Sequence, residues 1–512
     1  MTKYIKSRYN TVRDARDTIV LRPDTWDDYG HKTLFEADYW DENGKLHSLG
    51  MVKVVKYGVD SGYTPVPDNF DMLDDDFATL GQSQTYYETM NSLPLGVRNK
   101  LLRDFRDVVF DKMRFERFSE QEAFITSAMR NLSIDQIERF RAVISQAYRA
   151  LGYTIRYVPD PRCGELFQFK VSPDSVPNSN LHVLIGRNGI GKTTILADLA
   201  MAACLPYTEY SSRLLSDDPD HSELPLSAVI SVSFSAFDRF KVPKEDGTEP
   251  LLRKYTYVGL RVFTDKQSER LPLDQAVSKD FRLKSDTEID KIFVNSVANC
   301  VFGSQREDWL RSVTVLAADP RLRDLNIDQL ASYTDRASLM NAASMLFSPL
   351  SSGHKIALLI VTTLAELLED RTLVLVDEPE GHLHPPLLAS LVQAIGELLA
   401  SRNSLGILAT HSPVVLQEVP SDCVWILDRP STGMIARRPT IETYGENVGI
   451  LTHEVFELEL RQSGHFQILN QVINDRKLGT LDEVVAAFGG KIGAEGRAVA
   501  LALLAARAGR HQ

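Results

Sequence analysis

The chain has 512 residues, of which 43% are apolar and 25% charged, and its 57 Lys and Arg against 69 Asp and Glu leave a net charge of −12. These values fit a soluble globular protein of roughly two to four domains and exclude wholesale disorder. They also exclude general polyanion binding, so any nucleic acid must be met through a local basic patch or a partner subunit.

The four cysteines, Cys163, Cys204, Cys300 and Cys423, form no C-x-x-C pair. That argues against a zinc ribbon and against a disulfide framework. The N-terminal stretch MTKYIKSRYNTVRDARDTIV is charged throughout, with no apolar signal core. The longest apolar run, Ala498–Ala506, is too short to span a bilayer. The expectation is a soluble cytoplasmic protein with no membrane contact.

In chain order, Lys32–Gly58 alternates apolar and polar residues around Asp41-Glu42-Asn43-Gly44, which predicts a β-hairpin with an Asn-Gly turn. Residues 59–80, rich in Gly, Pro and Asp, predict a loop. Leu95–Phe118 and Ser119–Leu151 place Leu101, Leu102, Phe105, Phe124, Ile137 and Phe140 at helical spacing. Residues 1–152 therefore form an N-terminal α+β region, either separate or part of the next lobe, to which no chemistry attaches.

From about Tyr153, short apolar runs alternate with longer helical patterns, as in an α/β sheet. Strands are expected at Leu181–Ile185, Leu226–Phe234, Lys254–Phe263, Thr372–Val376 and Leu405–Ala409. Helices are expected at Leu358–Leu368 and Leu387–Leu399, with a helical insertion over about 268–345. Residues 431–512 read as a mainly helical C-terminal region, and no repeat or sustained heptad occurs.

The segment Gly186-Arg187-Asn188-Gly189-Ile190-Gly191-Lys192-Thr193 fits G-x-x-x-x-G-K-[ST], between the strand LHVLI and a helix opening at Thr193-Thr194. Glycines let backbone N–H groups wrap a phosphate without a Cβ clash, and the helix N-terminus faces the anion with its positive end. Lys192 is placed to reach the β- and γ-phosphates of ATP, and Thr193 to ligate Mg²⁺.

Leu373-Val374-Leu375-Val376-Asp377-Glu378 is a buried-strand pattern delivering two carboxylates at its C-terminal end. Alone, a strand ending in an acidic turn is common. Downstream of a phosphate loop, Asp377 reads as a Mg²⁺ ligand and Glu378 as the group that polarises the attacking water. His411, after the strand Leu405–Ala409, reads as a catalytic histidine that contacts the γ-phosphate. Between these motifs, Leu350-Ser351-Ser352-Gly353-His354 opens a helix with small residues, which by itself is an ordinary Ser N-cap.

In this order the motifs resemble those of the ABC-type ATPases over roughly residues 153–430. LSSGH looks like the LSGGQ signature. The resemblance implies two such domains enclosing two ATP molecules, with Ser351 and Gly353 of one chain donating to the γ-phosphate held by the other. One motif set per chain then requires a homodimer or a higher even oligomer. The expected fold class is α/β: a P-loop NTPase with an ABC-type ATPase core, the N-terminal α+β region and a helical tail.

Glu378-Pro379-Glu380-Gly381-His382-Leu383-His384-Pro385 and Thr410-His411-Ser412-Pro413 narrow the resemblance. They resemble the OLD (overcoming lysogenisation defect) group and its anti-phage relatives. His382 and His384 raise a metal site, but without a nearby Cys or third His they read as a dimer-interface loop. No Q-loop glutamine is evident in SVSFSAFDRF (231–240), and no room exists for the long coiled coil of DNA-repair relatives.

No acidic strand set or His cluster of a nuclease follows His411, so cleavage would belong to a separate protein. That arrangement resembles the ATPase of Septu-type systems (PtuA), with the ATPase of PARIS systems (AriA) sharing the same core. The expected function is an ATP-binding and hydrolysing sensor that controls a separate effector nuclease or toxin and meets nucleic acid through the complex. The alternative is a DNA repair or recombination ATPase acting on DNA directly.

Overall fold

The computed structural model describes residues 2–7, 15–59, 61–130, 132–145, 151–159, 166–173, 175–205, 213–216, 224–234, 243, 251–263, 281–428, 434–460 and 464–508. Cys163, the 235–240 part of the Q-loop segment and the 268–280 part of the expected insertion lie outside the described residues.

The N-terminal region builds a six-stranded sheet in the order Asn69–Phe70, Lys3–Lys6, Thr18–Pro23, Leu34–Trp40, Leu46–Lys56, Phe77–Gly81. The expected hairpin pairs Leu34–Trp40 with Leu46–Lys56. Its turn is held by Asp41, whose carboxylate accepts from the Asn43 and Lys45 N–H groups at 2.9 Å, while Gly44 takes φ +81°.

The expected loop over 59–80 is corrected: Phe77–Gly81 is a fully buried strand at the sheet's edge. Three aspartates just before it, Asp74, Asp75 and Asp76, give the segment a loop's composition. The helix Gln84–Ser92, capped by Ser83, also escapes the periodicity, because Tyr86, Tyr87 and Met90 are its only large buried apolar residues.

This region joins the rest through buried Arg402, whose guanidinium pairs with Glu88 of that helix and, at 2.7 Å, with Asp308. Removing one partner of such a trio leaves an uncompensated buried charge.

The second sheet carries the motifs. Its order is Lys254–Gly259, Ala228–Ser233, Leu373–Asp377, Leu405–Thr410, Leu181–Gly186, Val424–Asp428, Ile435–Arg437. All pairings are parallel except the last. The strands Leu181–Gly186, Leu373–Asp377 and Leu405–Thr410 are buried at every residue, as parallel strands covered on both faces must be.

Alternation then sorts the side chains. Val183, Val374, Val376 and Leu408 face a layer built from the helices Asp286–Phe302, Arg306–Leu316, Arg336–Phe347, Ser352–Leu367 and Pro385–Ser401. Leu184, Leu375, Ile407 and Ala409 face the helix Lys192–Cys204 and a three-stranded antiparallel sheet of Phe167–Val171, Tyr153–Tyr157 and Leu214–Ser216. Each fully buried aliphatic side chain contributes roughly 1.5–3 kcal/mol, so these two layers fix the strand ends firmly.

Three further expectations change. Lys254–Phe263 breaks after Gly259, and Arg261–Phe263 pairs instead with Phe281–Leu283. Among the described residues the helical insertion begins at Asp286, after the strand Phe281–Leu283 and under a Ser285–Glu288 capping box. The sheet also continues past residue 430 through Ile435–Arg437. The C-terminal helices Gly464–Asp475, Leu481–Ala487 and Ala494–Ala508 bury a small core of their own around Leu469, Ile473, Val484 and Ala500. Among the described residues no helix is long and apolar enough to cross a membrane.

Candidate nucleotide-binding site

The phosphate loop leaves the buried strand Leu181–Gly186 and enters the helix Lys192–Cys204. Gly186 has a packing reason to be glycine: a Cβ there would lie 2.6 Å from the Leu427 carbonyl oxygen of the neighbouring strand. Gly189 and Gly191 have a conformational one, at φ +78° and +110°. No side chain caps the helix, so its first N–H groups lack a side-chain acceptor of their own.

Arg187, Asn188 and Gly189 form the exposed crest of the loop, Ile190 turns into the core, and Thr194 is exposed on the first helical turn. His182, beneath the loop, is fully buried. Burial pushes its imidazole down to about 3, so it is a neutral core residue and no phosphate contact.

The acidic strand brings its carboxylates to this loop. The Thr193 hydroxyl lies 2.9 and 3.1 Å from the two Asp377 carboxylate oxygens. A hydroxyl and a carboxylate side by side are the hard oxygen donors that Mg²⁺ selects, so this donor set fits that ion. Lys192, itself buried, donates to the Gly186 and Arg187 carbonyls at 2.9 and 3.1 Å and lies 3.5 Å from Glu378 Oε1.

Glu378 ends the strand in the left-handed region, at φ +43°, which turns its half-exposed carboxylate toward the loop. His411 Nδ1 lies 3.8 Å from the same Glu378 oxygen. Lys192, Thr193, Asp377, Glu378 and His411, drawn from three strand ends, thus meet over one phosphate loop at the C-terminal edge of the sheet, where open α/β sheets bind ligands.

Glu380 sits inside the acidic motif, where sequence reasoning gives it no role. It accepts from the Thr410 hydroxyl at 2.5 Å and the His411 N–H at 2.8 Å, and its Oε1 lies 3.1 Å from His411 Nδ1. A second carboxylate two residues after Glu378, facing a His at the next strand's end, is the signal that could have found it.

Ser351 and Gly353 stand apart from these five. Ser351 is exposed at the start of the helix Ser352–Leu367, and its hydroxyl meets His354 Nδ1 at 2.6 Å instead of capping the helix. A Cβ on Gly353 would collide with the His382 carbonyl oxygen, so this glycine permits the close approach of helix and loop. The third histidine that the sequence does not place near His384 is His354: the two rings lie 6.2 Å apart, with Asp319 between them.

The fold and the converging loop, acidic strand and histidine define a P-loop NTPase of the α/β class. Residues 181–417 match the family described as "AAA domain, putative AbiEii toxin, Type IV TA system". The chain belongs to the family of Protein ea59 of Escherichia phage lambda, to which it is 32% identical over 516 residues, covering 94% of each. It is also 27% identical over 157 residues to "Retron Vc95 probable ATPase" of Vibrio cholerae serotype O1 biovar El Tor, covering 28% of this chain and 30% of that one. Among solved structures, an ABC transporter of metal-chelate type in an inward-facing conformation overlaps 60% of this chain and 89% of its own, at 13% identity and a TM-score of 0.29.

Proposed function

We propose that the protein binds ATP with Mg²⁺ and hydrolyses it between two copies of the chain, and that this cycle controls a separate effector nuclease or toxin in cytoplasmic anti-phage defence. The observation that carries the ATPase part is the meeting of Thr193 with Asp377 and of Lys192 with Glu378 at one loop. Bound Mg²⁺ would supply charge neutralisation at the β- and γ-phosphates, held by Thr193 and Asp377. Lys192 exchanges its loop carbonyls for phosphate oxygens. Glu378 accepts a proton from the attacking water, and His411, steadied by Glu380, faces the γ-phosphate.

Ser351 and the uncapped N–H groups of its helix complete the site from the second copy. The exposure of Ser351 and Ser352, with no side-chain cap on that helix, supports this reading.

The defence part rests on the description of the matching family and on likeness to the retron ATPase. The full-length relative belongs to a phage, so the excluded agent would be a competing phage. The finer assignment is a Septu-type ATPase of the OLD-like group, in which the effector is a separate nuclease. The helical character of residues 464–508, which follow the ATPase core, supports it.

Affinity capture of the tagged chain expressed from its native operon, with native mass spectrometry, tests the proposal. A stoichiometric nuclease or toxin in an even-numbered assembly supports it. A chain that captures no partner, with ATPase stimulated by DNA, replaces it with a DNA repair or recombination enzyme.

A further inference from the structure

Asp319, His354 and His384 form a cluster outside the nucleotide site, with one ligating atom of each within 4.8 Å of the others. They come from three elements. Asp319 caps the short helix Pro320–Asp324, His354 lies in the first turn of the helix Ser352–Leu367, and His384 caps the helix Pro385–Ser401. We propose that this cluster is a site for a divalent transition metal of the zinc class, tying the Ser351 helix to the loop after Glu378.

Three observations carry it. First, His354 is buried, and its Nε2 has no hydrogen-bond partner while it points at Asp319 Oδ1, 3.4 Å away. A buried ring nitrogen left unpaired is costly unless something occupies its lone pair.

Second, the spacing suits four-coordinate zinc. Ligand bonds of about 2.0–2.1 Å place tetrahedral donors about 3.3–3.4 Å apart. His354 Nε2 lies 3.4 Å from Asp319 Oδ1 and His384 Nε2 3.3 Å from Asp319 Oδ2, so the carboxylate offers each ring an oxygen at that separation.

Third, outer contacts already orient the ligands. Ser351 Oγ meets His354 Nδ1 at 2.6 Å, which fixes that ring with Nε2 inward. The Arg321 and Leu322 N–H groups hold Asp319 Oδ1 at 2.9 and 3.2 Å, which fixes the carboxylate between the two rings.

His384 is the exposed member and provides the entry path. Its Nδ1 accepts the Leu387 N–H at 3.3 Å, so ligation through Nε2 moves the proton to Nδ1 and gives up that long cap. Two imidazoles and one carboxylate select zinc-like ions over Mg²⁺, and one position stays open to solvent or to the facing copy.

Co²⁺ titration of the tag-free, nucleotide-free full chain tests the site. The expected result is one Co²⁺ per chain with the intense visible bands of a four-coordinate ion, displaced by Zn²⁺. His384→Asn, which keeps a helix-capping acceptor, should weaken Co²⁺ binding at least tenfold. His354→Gln supplies the same comparison from the buried side, and circular dichroism of the metal-free variants checks that they fold. Only weak six-coordinate spectra with the wild-type chain overturn the proposal, as does unchanged affinity in folded His384→Asn and His354→Gln.

Discussion

The Glu380 carboxylate grips His411 twice, with Oε1 2.8 Å from the backbone nitrogen and 3.1 Å from Nδ1 of the ring. It also accepts from the Thr410 hydroxyl, so one acidic side chain sets the end of the strand that presents the histidine to Glu378. Hydrogen bonds to a charged group contribute about 1.5–3 kcal/mol each, enough to hold His411 in one orientation.

Glu380→Ala should therefore lower kcat by roughly ten- to a hundredfold while leaving the KM for ATP within about threefold of wild type. Glu380→Gln keeps an acceptor for Thr410 and His411 and should recover most of the rate. Steady-state ATPase assays on both variants check this positioning role. An equal loss in both would mean that the charge itself acts in the reaction.

Lys192→Ala should weaken ATP binding at least a hundredfold without unfolding the chain, measured with a fluorescent ATP analogue. Its ammonium bridges the Gly186 and Arg187 carbonyls and lies beside Glu378, so its removal leaves the loop unable to face phosphate charge.

Complementation tests the exposed Ser351. Ser351→Arg and Lys192→Ala should each be inactive alone. An equimolar mixture should regain up to about a quarter of wild-type ATPase, because one composite site per mixed dimer keeps an intact loop and an intact facing Ser351. A mixture as inactive as its parents removes Ser351 from a shared site.

Stability should carry a pH signature from the N-terminal region. Burial pushes the Asp107 carboxyl up to about 7, although the Val109 and Phe110 N–H groups and the Tyr87 hydroxyl donate to it. The folded value lies above the unfolded one, so the folded chain holds the extra proton. Stability from this group is lost as the pH rises from about 4 to about 7, by at most ~1.4 kcal/mol per pH unit. Asp107→Asn should remove that slope, and its melting temperature relative to wild type should rise between pH 5 and pH 8.

The sheet and the phosphate loop are legible in the sequence for a definite reason. Strands buried on both faces are continuous apolar runs, and Leu373–Val376 and Leu405–Ala409 cannot be read otherwise. The Gly-x-Gly-Lys-Thr turn has few structural alternatives. The strand Phe77–Gly81 is hidden by its Asp-rich approach, and the pair Arg261–Phe263 with Phe281–Leu283 by the brevity of its three-residue strands.

What stays illegible at the site is spatial. Glu380 acts across 31 residues on His411, and Asp319 meets two histidines 35 and 65 positions further on. Such pairings follow from how the strand ends and the insertion pack, which local patterns do not encode.

The most direct test of ATP-driven pairing at this site is sedimentation of Glu378→Gln with and without ATP and Mg²⁺. In the proposed cycle Glu378, 3.5 Å from Lys192, accepts the water's proton, and glutamine keeps its size without its basicity. The expected result is a shift to a stable dimer carrying two ATP molecules, with no detectable turnover. A chain whose mass does not respond to ATP, or one that hydrolyses ATP at the wild-type rate, would contradict ATP-driven pairing with Glu378 as the base.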